Sequence, residues 1–236
     1  MEGDNVSGIA AWVSQLQWEP LLELLITAAA ALICITFHEV SHGFTAYILG
    51  DPTADRQGRL SLNPLKHLDL WGMVMLIFAK VGWAKPVPVN PRYFRNPRAD
   101  MALVSIAGPL SNVILSAVAA VGYAVSAFYA IYLDLAWLDW VAEFFNYVCS
   151  ISAGLAVFNL LPIPPLDGSK VVFSLLPQEW YWKLMRYERY GMLLLMALVF
   201  TGALDAPLDF LRNGLIGFLL PIWNWMLELL TTLHFR

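Results

Sequence analysis

Three long apolar runs limit what this chain can fold into. They cover residues 21–49, 101–131 and 141–161. Each holds the roughly 20 residues that a helix needs to cross the hydrocarbon core of a bilayer. Of the 236 residues, 59% are apolar and only 14% are charged, whereas soluble domains carry about 25% charged residues. The sequence therefore predicts an all-α polytopic membrane protein, with residues 1–236 forming a single membrane-embedded domain.

Charge and cysteine content exclude several other classes of protein. The net charge is −4 and no basic stripe is present, so binding to nucleic acid is not expected. The chain has two cysteines, Cys34 and Cys149, and both lie within apolar runs. This placement excludes a disulfide framework and a CxxC zinc site. The lipid bilayer is the expected surrounding of most of the chain.

The interval between the first two runs has a different character. A short apolar stretch at 70–81 is too short to cross a bilayer as a helix. It is flanked by two alternating segments, GRLSLNP at 58–64 and KPVPVNP at 85–91. This pattern predicts a re-entrant or interfacial hairpin, which is tolerated at membrane depth only against protein or a water-filled cavity.

Two weaker apolar segments, 190–204 and 211–230, follow the three-helix core, and Pro221 is expected to interrupt the second. The sequence thus predicts about five transmembrane helices, with a core over about 21–176 and extra helices over about 177–236. With five crossings, all but one of the 14 Lys and Arg residues fall on one side. Because basic residues accumulate in the cytoplasm, the N-terminus is predicted outside and the C-terminus in the cytoplasm.

Ionisable residues within the first run indicate a metal site. His38 and His42 are four positions apart, so on a helix both imidazoles can reach one metal ion. Glu39 lies beside them and can take a proton from water as it attacks a carbonyl, which is the HExxH arrangement of zinc peptidases. Charged groups within a membrane helix are costly unless they serve a site, so an accidental match is disfavoured. The motif lies in the cytoplasmic half of the bilayer.

A catalytic zinc usually has three protein ligands, and Asp167 is the candidate for the third. It follows a Pro-broken segment, NLLPIPPLDG at 159–168, in which Gly168 allows a sharp turn. The first and third runs cross in the same direction, so His42 and Asp167 can lie at similar depth. The alternative is a turn aspartate without a ligand role.

These motifs together resemble the site-2 protease family of intramembrane zinc metalloproteases. The resemblance covers about residues 21–176 and also includes GRLSLNP, KPVPVNP and AGPLSN at 107–112. It implies one zinc ion per chain on His38, His42 and Asp167, with Glu39 as general base. It further implies regulated proteolysis of transmembrane or juxtamembrane segments of membrane proteins, with Asn159 near the scissile carbonyl, where its amide can act as an oxyanion donor. The intervals leave no room for an inserted PDZ domain or a following CBS domain, so the chain looks like a minimal member.

Two other functions use the same residues differently. A membrane metal-ion carrier or sensor needs the three ligands but has no need of Glu39 as a base. An inactive scaffold that binds transmembrane segments would be expected to have lost a ligand or Glu39.

Four further features carry expectations of their own. Asn112 is expected to make an interhelical hydrogen bond, Cys34 to pack as a small apolar residue, and His67 to be an interfacial residue without function. The alternating segments 58–64 and 85–91 are expected to offer an edge strand to an extended substrate.

Overall fold

The computed structural model describes residues 18–69, 71–72 and 84–234. Within these ranges the chain is almost entirely helical, and an isolated antiparallel bridge between Leu68 and Ala84 is the only strand-like pairing. The eight α-helices are α1 (Trp18–Ile48), α2 (Thr53–Arg56), α3 (Pro97–Leu133), α4 (Trp137–Asn159), α5 (Asp167–Ser174), α6 (Gln178–Arg186), α7 (Glu188–Phe200) and α8 (Asp205–His234). The predicted all-α class is confirmed.

Four of the helices, α1, α3, α4 and α8, are long and apolar enough to cross a membrane. Large apolar side chains cover their outer faces, as with Ile131 at 85% and Phe218 at 76% exposed. Such surfaces are stable in contact with lipid chains rather than water. The protein is therefore an integral multi-pass membrane protein.

Pro221 does not interrupt the last helix, contrary to the sequence prediction. α8 continues through it from Asp205 to His234. Proline is tolerated within transmembrane helices because neighbouring groups can satisfy the freed carbonyl.

Helices α1, α3 and α4 form the centre of the bundle through small side chains that allow close approach. Ala30 and Cys34 of α1 pack with Ala119 of α3 and Val148 of α4. The Ser152 hydroxyl donates to Cys34 Sγ over 3.1 Å. Cys34 is thus a packing residue, as expected.

The predicted fourth crossing corresponds to α7, which has 13 residues and is shorter than a bilayer-spanning helix. It lies against the segment that follows α4. Leu195 of α7 packs with Leu166 and with Leu204, the residue just before α8. Gly191, near the start of α7, approaches Pro164, so the chain enters and leaves α7 beside the segment that follows α4, at the same end of the bundle.

Helix α8 runs from that end to the opposite one. Arg212, near its start, approaches Gly154 of α4, and Trp223 stacks on Tyr123 of α3. At its end His234 Nε2 lies 3.2 Å from Tyr129 Oη, close to the end of α3. α8 is thus parallel to α3 and finishes beside the α3–α4 turn.

Most of the predicted hairpin, residues 70 and 73–83, lies outside the described residues. Its flanks do come together, because Lys85 N donates to the His67 carbonyl over 2.9 Å. His67 itself is buried, and its Nε2 lies 2.8 Å from the Ser61 carbonyl. It is a packed loop residue rather than an interfacial one.

Candidate metal centre

The side chains of His38, His42 and Asp167 converge on one point of the bundle. The two Nε2 atoms are 3.0 Å apart. Asp167 Oδ2 lies 3.2 Å from His38 Nε2 and 3.1 Å from His42 Nε2. A tetrahedral zinc ion with bonds of about 2.0–2.1 Å places its ligand atoms about 3.3 Å apart. The three atoms therefore match three positions of such an ion, and the residues present fit zinc.

The two histidines reach this point because α1 places them one turn apart on a buried face. Asp167 arrives from the other side of the cluster as the first residue of α5. Burial raises the pKa of the Asp167 carboxyl, but the adjacent imidazoles of His38 and His42 outweigh burial and hold its pKa well below the usual range. At neutral pH the group is a carboxylate, the form that binds a metal ion.

Gly168 has a different role from the one the sequence predicted. Its φ is not positive, so it does not supply a left-handed turn. A Cβ at this position would instead lie 2.1 Å from the Leu160 carbonyl oxygen. The glycine lets the first turn of α5 press against the end of α4, and this contact fixes where Asp167 starts.

Helix α3 supports both histidines through residues spaced four apart. The Val104 carbonyl lies 2.7 Å from His42 Nδ1, and Asn112 Nδ2 lies 3.3 Å from His38 Nδ1. Between them, a Cβ on Gly108 would lie 2.4 Å from His42 Nε2. The expected interhelical bond of Asn112 is therefore present, and its partner is a candidate metal ligand. In the sequence, the four-residue spacing from Gly108 to Asn112 within an apolar run is the signal that indicates the face of α3 turned toward the histidines.

Glu39 lies beside the cluster and is bound to the loop before α3. Its Oε2 accepts a hydrogen bond from Val87 N over 2.8 Å. Glu39 and the three candidate ligands line one cavity of about 370 Å³ together with Val87, Val89, Asn159 and Lys170. A carboxylate with one oxygen held and the cavity beside it is placed to exchange protons with water there.

The extended segment 85–91 is anchored on both sides of this contact. Arg59 Nη2 donates to the Lys85 carbonyl over 2.6 Å, and Asn90 N donates to Asp51 Oδ2 over 2.6 Å. Arg59 and Asp51 are both buried. The segment is therefore a fixed wall of the cavity.

Asn159 ends α4 at the same cavity. Its Nδ2 donates to the Leu155 carbonyl one turn earlier over 3.0 Å. An amide nitrogen carries two hydrogens, so this bond orients the group and leaves one donor.

Two histidines and an aspartate that could hold one metal ion lie beside a glutamate among apolar helices, which is the arrangement expected of an HExxH peptidase. The family model described as peptidase family M50 matches residues 26–201. The chain belongs to this family, the site-2 proteases, as the sequence motifs predicted.

Curated relatives carry names of the same kind. "Putative zinc metalloprotease YwhC" of Bacillus subtilis is 38% identical over 182 residues, covering 77% of this chain and 83% of its own length. "Putative zinc metalloprotease Rip2" of Mycolicibacterium smegmatis is 31% identical over 207 residues, covering 84% and 76%. The Mycobacterium tuberculosis protein of that name is 28% identical over 237 residues, covering 97% and 84%. No solved structure matches the chain.

Proposed function

We propose that the protein hydrolyses peptide bonds in transmembrane or juxtamembrane segments of other membrane proteins. The observation that carries the proposal is the convergence of His38, His42 and Asp167 beside the Glu39 carboxylate, within helices that face lipid. Membership of peptidase family M50 supports the same chemistry. One zinc ion per chain is proposed on the three ligands.

Zinc bound at such a site supplies Lewis-acid polarisation of a carbonyl and lowers the pKa of water. Glu39 is proposed to take the proton from the attacking water and to pass it to the leaving nitrogen. The Val87 N–H holds one oxygen of the Glu39 carboxylate, so the other is the oxygen that accepts the proton. The free N–H of Asn159 is proposed to stabilise the developing oxyanion.

A substrate helix must unwind before cleavage because its carbonyls are held in hydrogen bonds. The extended segment 85–91 is proposed to receive the unwound backbone. Pro86 and Pro88 have no N–H, so they can offer only carbonyl oxygens. Val89 lines the cavity and its N–H has no partner among the described residues, so it is the proposed donor to the substrate.

We propose four crossings, with the active site in the cytoplasmic half of the bilayer and both termini outside. The position of α7 at the metal-centre end and of His234 beside Tyr129 at the other end supports this arrangement. Five crossings would instead place the C-terminus in the cytoplasm. Basic residues do not separate the two arrangements, since each leaves one of the 14 outside. That residue is Arg236 with four crossings and Arg212 with five.

Zinc content and peptide cleavage of the purified protein, measured together, test the proposed function. The assay uses a panel of single-span peptides in liposomes. Glu39→Gln should keep its zinc and lose about 10²–10⁴-fold in cleavage rate, because the amide cannot accept the proton. His38→Ala should lose zinc and cleavage together.

Glu143→Gln is the matched control, since it makes the same change at an exposed site on α4 and should leave both quantities unchanged. Near-normal cleavage by Glu39→Gln would overturn the mechanism. Full zinc occupancy without cleavage of any peptide would favour the metal carrier.

A further inference from the structure

The orientation of a metal-ligating imidazole depends on the partner of its second nitrogen. For His42 that partner is the Val104 carbonyl, 2.7 Å from Nδ1. A carbonyl only accepts hydrogen bonds, so His42 Nδ1 carries the proton. Its Nε2 is then free to bind metal.

For His38 the partner of Nδ1 is the side chain of Asn112, which is fully buried between α1 and α3. An amide can present either its nitrogen or its oxygen to the ring, since the two orientations differ by a half-turn. With Nδ2 toward the ring, His38 Nδ1 is an acceptor and its proton sits on Nε2, where a metal would bind. In this orientation Asn112 Oδ1 has no partner among the described residues, and a buried acceptor without a donor is destabilising.

The opposite orientation gives the buried oxygen a donor and frees Nε2 of His38 for metal, with the amide nitrogen in the place that the oxygen held. Asn112 Oδ1 then accepts a hydrogen bond from His38 Nδ1–H, so the buried oxygen has a donor. The proton leaves Nε2, and that nitrogen faces His42 Nε2 and Asp167 Oδ2 with a free lone pair.

We infer that Asn112 is a positioning residue for the metal, with its Oδ1 holding His38 in the Nδ1-protonated tautomer. The inference rests on the ligand set of the proposed function. A neutral amide performs this role without placing another charge between apolar helices, where an unpaired carboxylate would be costly.

The test is the zinc dissociation constant of the detergent-purified protein, measured by competition with a chelating dye. Asn112→Leu fills a similar volume and cannot accept a hydrogen bond, so zinc should bind about 10- to 100-fold more weakly. Asn112→Asp keeps an acceptor and should bind zinc at least tenfold more tightly than Asn112→Leu. Cobalt(II) spectra of the same variants report whether the ligand geometry is preserved.

Ser116→Ala is the matched control, because Ser116 lies one turn further along α3, is equally buried, and bonds to the Cys149 carbonyl instead of a ligand. Its zinc affinity should equal that of the unaltered protein. Equal affinity of Asn112→Leu and Ser116→Ala would overturn the inference, as would equally weak binding by Asn112→Leu and Asn112→Asp.

Nitrogen-15 NMR of the zinc-loaded unaltered protein gives a test that needs no variant. The His38 signals should report a protonated Nδ1 and a metal-bound Nε2, and a protonated Nε2 would contradict the role of Asn112. Failure of the ligand set itself would look different, since the unaltered protein would then bind no zinc or His38→Ala would bind it normally.

Discussion

Two imidazole rings and a carboxylate converge within this bundle because the residue facing them has no side chain. Gly108 stands between Val104 and Asn112 on α3, and a Cβ there would lie 2.4 Å from His42 Nε2 and 2.7 Å from His38 Cε1. Neither imidazole ring can shift freely away from a side chain at residue 108, because residues of α3 hold each ring at Nδ1. Space at residue 108 is therefore a requirement of the metal centre.

Gly108→Ala should weaken zinc binding although alanine favours helix. Overpacking costs about 1–3 kcal/mol, which corresponds to about a 5- to 150-fold rise in the zinc dissociation constant if it falls on the ligand geometry. Gly214→Ala is the control, because nothing lies within 4 Å of a Cβ at that position of α8. Equal zinc affinity of the two variants would show that the rings have room to move.

At the scale of elements, the segment 85–91 holds the proposed base, Glu39, and is itself held by the loops that precede it. It is anchored by Arg59 and Asp51 and donates Val87 N–H to Glu39. Val87 and Val89 therefore have different expected roles although they are two residues apart. One holds the carboxylate, and the other has an N–H available to a substrate.

Proline substitutions separate these roles because each removes a single N–H. Val89→Pro should raise KM about 2- to 13-fold, the equivalent of a hydrogen bond of about 0.5–1.5 kcal/mol. Val87→Pro should lower kcat on the order of tenfold, because it removes a bond to a charged group. Zinc content should stay unchanged in both. Identical effects of the two on KM and kcat would contradict the distinction.

The elements of the core follow from the sequence, whereas the contacts between them do not. Apolar runs predicted α1, α3 and α4 closely, since a bilayer requires long helices. The same reasoning wrongly predicted a break at Pro221, where the helix continues. Spacing along one helix placed His38 with His42, and family resemblance supported Asp167. The contact of Asn112 with His38 depends on the register between two helices, which composition and spacing do not specify.

At the scale of the whole molecule, the chain after Asp167 stays at the metal-centre end until α8 begins. α5, α6 and α7 lie between that residue and Asp205. Arg98 at the start of α3 helps to fix the end of α5, because its guanidinium donates to the Ser174 carbonyl over 2.7 Å. Of these three helices, α5 lines the cavity at the site through Asp167 and Lys170, opposite the loop before α3.

Cysteine labelling with a membrane-impermeant reagent tests the four-crossing arrangement. Thr232→Cys, at the exposed end of α8, should label from the same side as Leu135→Cys in the α3–α4 turn. Lys183→Cys, on α6, should label from the other side. The unaltered chain is the control, since Cys34 and Cys149 lie within spans. Labelling of Thr232→Cys from the same side as Lys183→Cys would contradict four crossings and support five.

The proposed ligands His38 and Asp167 are 129 positions apart in the chain. Ribosomes add about 5–20 residues per second, so about 6–26 s pass between the synthesis of the first ligand and the last. Throughout that interval the growing chain holds His38, His42 and Glu39 but lacks Asp167, the proposed third ligand. We therefore expect the nascent protein to be inert while neighbouring proteins insert beside it. The order of the proposed ligands would delay the proposed activity until the core has been made.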